Sequence, residues 1–133
     1  MHELISEGRA TSLSNRISET SPLTALMIAE EADHGDPLSY ETIMELADWL
    51  GLGIVTLMHT IDPGAVILGG AMNFGGHEDP VGRRFLEHIR GIVRKRAFPI
   101  PAQKTIIDFA ALGSDAGYIG VAGIARLEHH RAK

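Results

Sequence analysis

"DPGAVILGGAMNFGG", residues 62–76, decides the fold. The apolar run Ala65-Val66-Ile67-Leu68 lies between turn signals, Asp62-Pro63-Gly64 before it and Gly69-Gly70 after it. A short, continuous apolar run bounded in this way reads as a buried parallel strand, covered on both faces. Upstream, Ile43, Leu46, Leu50, Ile54, Leu57 and Ile61 recur in helical steps of 3, 4, 4, 3 and 4. Trp49, Leu52, Val55 and Met58 add apolar surface on other faces, which predicts a helix over 38–61 at the centre of the molecule. Gly51 and Gly53 cost helix propensity there and are expected to mark close contact with a neighbour.

Further out, residues 3–18 read as a short polar helix burying Leu4, Ile5, Ala10, Leu13 and Ile17. Ser21-Pro22 predicts a helix start leading into 23–33, with Gly35 as its stop. After the glycine pair, Val81, Phe85, Ile89, Ile92 and Val93 define an amphipathic helix over 79–97 with its basic residues outward. "FPIP" (98–101) reads as a linker, and "KTIIDFAAL" (104–112) as a second strand. Ser114 can cap a last helix, in which Gly117, Gly120 and Gly123 share a face and allow close backbone approach. Helices followed by two βα units predict an α/β fold with parallel strands. Two strands make no independent sheet, so another copy, or another part of the chain, is expected to supply the rest.

Composition narrows the function classes. With 133 residues and 44% hydrophobic content, the chain is expected to be one domain with a real core. It has no cysteine, which excludes disulfides and thiolate metal sites and fits a reducing, cytoplasmic setting. No apolar run approaches a membrane span, and no secretory signal is visible. Ten acids against two bases in residues 1–50 make that part acidic; six of the twelve Lys and Arg fall between Arg83 and Arg96. That cluster reads as the solvated face of a helix, and the overall charge of −5 argues against nucleic acid. His34, Asp36 and His59 lack a metal-ligand spacing, and Asp108 reads as a solvent-facing strand residue. Asp115, at the start of the last helix, is explained by capping and the helix dipole.

A glycine pair at a strand end is either a tight turn or a place where a ligand meets bare backbone. There is no G-x-G-x-x-G and no G-x-x-x-x-G-K-[ST]. The order of segments is more telling. Asp62-Pro63 closing a long helix, a strand ending in Gly69-Gly70, and Leu112, Gly113, Asp115, Ala116 and Gly117 opening the last helix resemble the C-terminal half of the ROK family. "HGDP" (34–37) resembles the glycine-aspartate before that family's long helix, while Gly120-Val121 departs from its glycine-alanine pair. The resemblance implies the actin-like ATPase fold of bacterial sugar kinases, glucokinase-type among them, and of related sugar-responsive repressors. It implies that Gly69, Gly70 and Ala71 border the adenosine part of an ATP site, with Mg2+ accompanying ATP and a hexose as co-substrate in the intact protein.

The departures define the expectation. The family's aspartate-x-glycine-glycine-threonine phosphate loop, its asparagine-aspartate pair with the catalytic base, its glutamate-x-glycine-histidine sugar motif and its cysteine-rich zinc motif are not in this sequence. The resemblance therefore implies a C-terminal lobe segment with no catalytic residue and no zinc site, inactive alone and prone to form homo-oligomers. The alternative is the sugar-sensing part of a ROK-type repressor.

Overall fold

The computed structural model describes residues 2–18, 21–70 and 73–131. The first helix, α1 (His2–Ser6), is brief; the chain turns at Gly8 and forms one 3-10 turn at Ser12–Asn15. The continuous helix expected over 3–18 is therefore broken. Its hydroxyl-bearing residues are used in tertiary contacts instead, which compete with helical backbone bonding. Thr11 Oγ1 donates to Asp36 Oδ2 (2.9 Å), the Ser12 amide to Asp36 Oδ1 (2.9 Å), and Ser12 Oγ to Glu31. Arg16 pairs with Glu31 (2.9 Å) and Glu30 (2.6 Å). Leu13 is fully buried and anchors this strap, whereas Ala10 is exposed.

The second helix, α2 (Ala25–Asp33), starts at Thr24, whose Oγ1 accepts from the Met27 amide (3.2 Å). Ser21, the expected cap, pairs with Ser18 in an isolated antiparallel bridge instead. α3 runs Pro37–Ile61, capped by Asp36, whose carboxylate accepts from the Ser39 amide (2.8 Å). Pro37 sits where a missing N–H costs nothing, and Asp62 closes the helix in a left-handed conformation before Pro63.

β1 (Ala65–Leu68) leads through a loop to α4 (Pro80–Arg96), then α5 (Pro99–Lys104), β2 (Ile106–Phe109), a 3-10 turn at Gly113–Asp115 and α6 (Ala116–Arg131). "FPIP" thus opens a short helix, because Pro99 and Pro101 fall in a first turn that needs no amide donors. β1 and β2 pair in parallel, Ala65 with Ile106 through Leu68 with Phe109. The core lies between α3, α4 and one face of this sheet. Ile43, Ala47, Ile54 and Met58 meet Phe85, Ile89 and Val93, and Ile107 and Phe109 close the floor.

The two glycines of α3 divide. A Cβ on Gly51 would lie 2.8 Å from Ile92 Cβ, the close approach expected of it; Gly53 has no neighbour within 4 Å. Gly53 sits on a bare stripe with Trp49, Leu57 and Ile61, so α3 is covered on one side and is not central as expected. α6 differs from expectation in the same way. All its described side chains are exposed, and Gly117, Gly120 and Gly123 face open space. Tyr118, Ile119, Val121, Ile124 and Leu127 point around the whole helix, the pattern of an element covered on all sides, and that cover is not among the described residues. The side chain of Ser114 lies outside what is described.

Candidate functional site

Parallel pairing brings the carboxyl ends of β1 and β2 together, and the chain leaves both through small residues. Gly69 lies against Ala110, where a Cβ would make an ordinary 3.7 Å contact. Gly70 has φ +91°, so the position needs glycine for its conformation, and no described residue lies within 4 Å of where a Cβ would stand. Ala71, expected beside them, lies outside the described residues.

The loop from Asn73 to Asp79 is held tightly. The Gly76 amide donates to the Asn73 carbonyl (2.9 Å), and the Phe74 ring packs edge-on against Phe85 at 4.8 Å. α4 begins directly on this loop: a Cβ on Gly82 would fall 2.3 Å from the Gly76 carbonyl and 2.5 Å from that of Phe74. Asp79 caps α4 by accepting from the Val81 amide (2.6 Å). The same loop carries His77 onto the end of β2, its ring edge-on to Phe109 at 5.4 Å and its Nε2 2.6 Å from Asp108 Oδ1.

Asp108 thus has a role that its reading as a plain solvent-facing residue missed. Its carboxylate accepts from the Phe109 amide (2.8 Å), pairs with His77, and lies 3.7 Å from Arg90. The Phe109 amide first, then His77 and Arg90, hold it below the usual carboxylate range despite partial burial. A carboxylate so engaged is a clamp between loop and strand, not a free base. A second perturbed acid, Asp33, lines an apolar cleft of about 440 Å3 with Leu26, Phe74 and Asp79. Burial, then the Asp79 carboxylate, raises its pKa.

The other residues weighed from sequence are not brought together. Asp36 is a cap, and His59 accepts the Phe98 amide (3.0 Å) and stacks on that ring. No group of three or more His, Asp or Glu among the described residues is placed to hold a metal ion. The arginines of α4 are largely engaged. Arg83 donates to the carbonyls of His77 and Glu78, Arg84 lies over Tyr40, Arg90 donates to the Ile107 carbonyl, and Arg94 pairs with Glu87.

Residues 3–128 match the sequence profile of the ROK family. The chain belongs to the ROK family. It is 33% identical over 102 residues to a glucokinase of Streptomyces coelicolor, covering 74% of this chain and 30% of that protein. A xylose repressor of Caldicellulosiruptor bescii is 27% identical over 98 residues, covering 74% of this chain and 23% of the repressor. Among solved structures, a sugar kinase from Cytophaga hutchinsonii superposes with a TM-score of 0.72 at 24% identity, over 94% of this chain and 39% of that one. A ROK glucokinase from Streptomyces griseus, solved with glucose and AMPPNP, gives 0.60 at 33% identity over 75% of this chain and 30% of the kinase. The chain therefore spans 23–39% of the length of these relatives, and its helix-rich α/β fold is part of the actin-like ATPase fold.

Proposed function

We propose that this ROK chain is the C-terminal lobe segment of an ATP-dependent hexose kinase of the glucokinase type, and that it contributes the adenosine-side wall of the nucleotide site. The observation that carries the reading is Gly70, left-handed, at the end of β1 in a chain 33% identical to a glucokinase solved with AMPPNP. Bare backbone at a strand end accepts a flat base and ribose without side-chain clash. Gly69, Gly70 and Ala71 would border that part of ATP, with the Asp108–His77 clamp fixing the loop beside them.

The fit ends there. The family's phosphate-loop and catalytic-base motifs are not in this sequence. Phosphoryl transfer needs a phosphate loop, a metal ion and a base for the sugar hydroxyl, so in this reading the segment supplies no catalytic residue and is inactive alone. The segment folds as a single domain with bare apolar residues on α3 (Trp49, Leu57 and Ile61) and at the start of α5 (Phe98, just before it, and Ile100), through which isolated copies self-associate. No helix among the described residues is long and apolar enough to cross a membrane, and a cytoplasmic setting suits this reading.

Calorimetry with AMPPNP and a coupled glucose-phosphorylation assay test the assignment. The expected result is weak nucleotide binding, abolished by Gly70→Val, and no sugar phosphate; robust hexokinase activity from the purified chain would refute it. The xylose repressor match supports a second reading, the sugar-sensing part of a repressor. Operator binding by a longer form of the chain, without phosphorylation, would favour it.

A further inference from the structure

The edge of β2 that is turned away from β1 has a gap one residue wide. The Ile106 amide donates to the Gly64 carbonyl (3.1 Å) and the Ala110 amide to that of Leu68 (2.8 Å). By the two-residue repeat of a parallel ladder, the backbone groups of Thr105, Ile107 and Phe109 point the other way, away from β1. Most of them are answered. The Thr105 amide donates to the Pro101 carbonyl (3.0 Å), the Ile107 carbonyl accepts twice from Arg90 (3.0 and 2.8 Å), and the Phe109 amide is held by Asp108. Between these ties, the Thr105 carbonyl and the Ile107 amide have no hydrogen-bond partner among the described residues. Ile107 is buried, so an amide left open there is a donor in want of an acceptor.

The gap opens into a pocket of about 260 Å3 between α4, α5 and β2. Val93 and Ala102 give it apolar walls, and Arg90 and Arg94 bring two guanidinium groups to it. Arg90 is fixed on the Ile107 carbonyl. Arg94 pairs with Glu87, but both side chains are 59% exposed, and a pair so open to water contributes little and exchanges easily.

We propose that this pocket binds the C-terminal residue of an extended peptide. A residue laid parallel to β2, opposite Ile106, donates its amide to the Thr105 carbonyl and presents its carboxyl group to the Ile107 amide. The next pairing group along the edge, the Ile107 carbonyl, is already taken by Arg90. A chain that continues finds nothing to pair with there and meets a guanidinium; a chain that ends there brings it a carboxylate. Arg94 leaves Glu87 for the same carboxylate. A free oxyanion such as phosphate suits the gap less well. It offers no donor to the Thr105 carbonyl, and it brings extra negative charge towards Glu87 and Asp108, both within 4 Å of Arg90. The small volume confines recognition to the last residue, with a small side chain against Val93 and Ala102.

The test titrates the isotope-labelled chain with N-acetylalanine, a minimal mimic of an acylated C-terminal residue, and follows the Ile107 amide by NMR. A saturable shift of that signal is expected. N-acetylalanine amide, which lacks the charge, should bind roughly tenfold more weakly or worse, and so should the acid to the Arg94→Gln chain. Unchanged signals from α3 confirm that this variant is folded; if it is not, the comparison of acid with amide on the unsubstituted chain decides alone. An acetylated tetrapeptide ending in alanine should bind at least as tightly as the single residue, since only its last residue enters the gap. No saturable shift, equal affinity for acid and amide, or full affinity in a folded Arg94→Gln chain each overturns the proposal. So does inorganic phosphate binding as tightly as the acid, or a tetrapeptide that does not bind. The pocket shares no residue with the Gly69-Gly70 end of β1, so the outcome is independent of AMPPNP binding.

Discussion

Asp36 ties three parts of the molecule together, and its removal should be felt in all three. One carboxylate oxygen takes the Ser12 amide; the other takes Thr11 Oγ1 and the Ser39 amide at the start of α3. Burial alone would raise this acid, but the Ser39, Ser12 and Thr11 hydrogen bonds outweigh it and hold the pKa at about 2, against an ordinary 3.8. A fall of nearly two units, at about 1.4 kcal/mol each, corresponds to about 2 kcal/mol of stability from ionised Asp36. The folded-state pKa is depressed, so this contribution is complete above pH 4 to 5 and is lost as pH falls towards 2. Asp36→Ala loses the cap, roughly 1 kcal/mol, and strands the Ser12 amide, for a total of about 3 kcal/mol at pH 7. Asp36→Asn keeps a cap but offers an acceptor on one side only, so about 1–2 kcal/mol is expected. Urea unfolding of the three proteins between pH 7 and pH 2 checks this. The gap between wild type and Asp36→Asn should close on acidification. A gap independent of pH, or an Asp36→Ala cost below about 0.5 kcal/mol, would refute the assignment of the strap to this carboxylate.

The glycines of the helices give a sharper contrast. Gly82→Ala would place a methyl within 2.5 Å of two carbonyl oxygens that cannot move aside, so a loss of about 3 kcal/mol and a disturbed 73–79 loop are expected. Gly53→Ala, in open space on α3, should instead raise stability by about 0.5–1 kcal/mol in the unfolding midpoint, provided that nothing packs there.

The parts legible in the sequence are those fixed by contacts within the chain. α4 carries its whole apolar stripe against α3, so its period matched its buried face, and Gly51 was readable as a close approach because Ile92 lies in the same two-helix contact. The strap at 9–17 was not legible, since Thr11, Ser12 and Arg16 bond to acids 14 to 25 residues away, a distance that no local pattern reports. The His77–Asp108 clamp was hidden for the same reason. Asp108 alternates with buried Ile107 and Phe109 and so reads as solvent-facing, and only parallel pairing brings the loop carrying His77 onto it.

The remaining mismatches share one cause and point in one direction. Trp49, Leu57 and Ile61 on α3 and Ile67 and Ile106 on the sheet read from sequence as buried, the Gly117, Gly120 and Gly123 face of α6 reads as closely approached, and all are bare among the described residues. An apolar pattern records the surroundings in which a segment was selected, and a helix apolar on every side was selected with neighbours on every side. If those neighbours belong to the remaining length of a ROK kinase, the misread positions should be covered together, by one body, when that body binds. On the kinase-segment reading that body also completes the nucleotide site, so AMPPNP affinity should rise when it binds and fall with Gly70→Val.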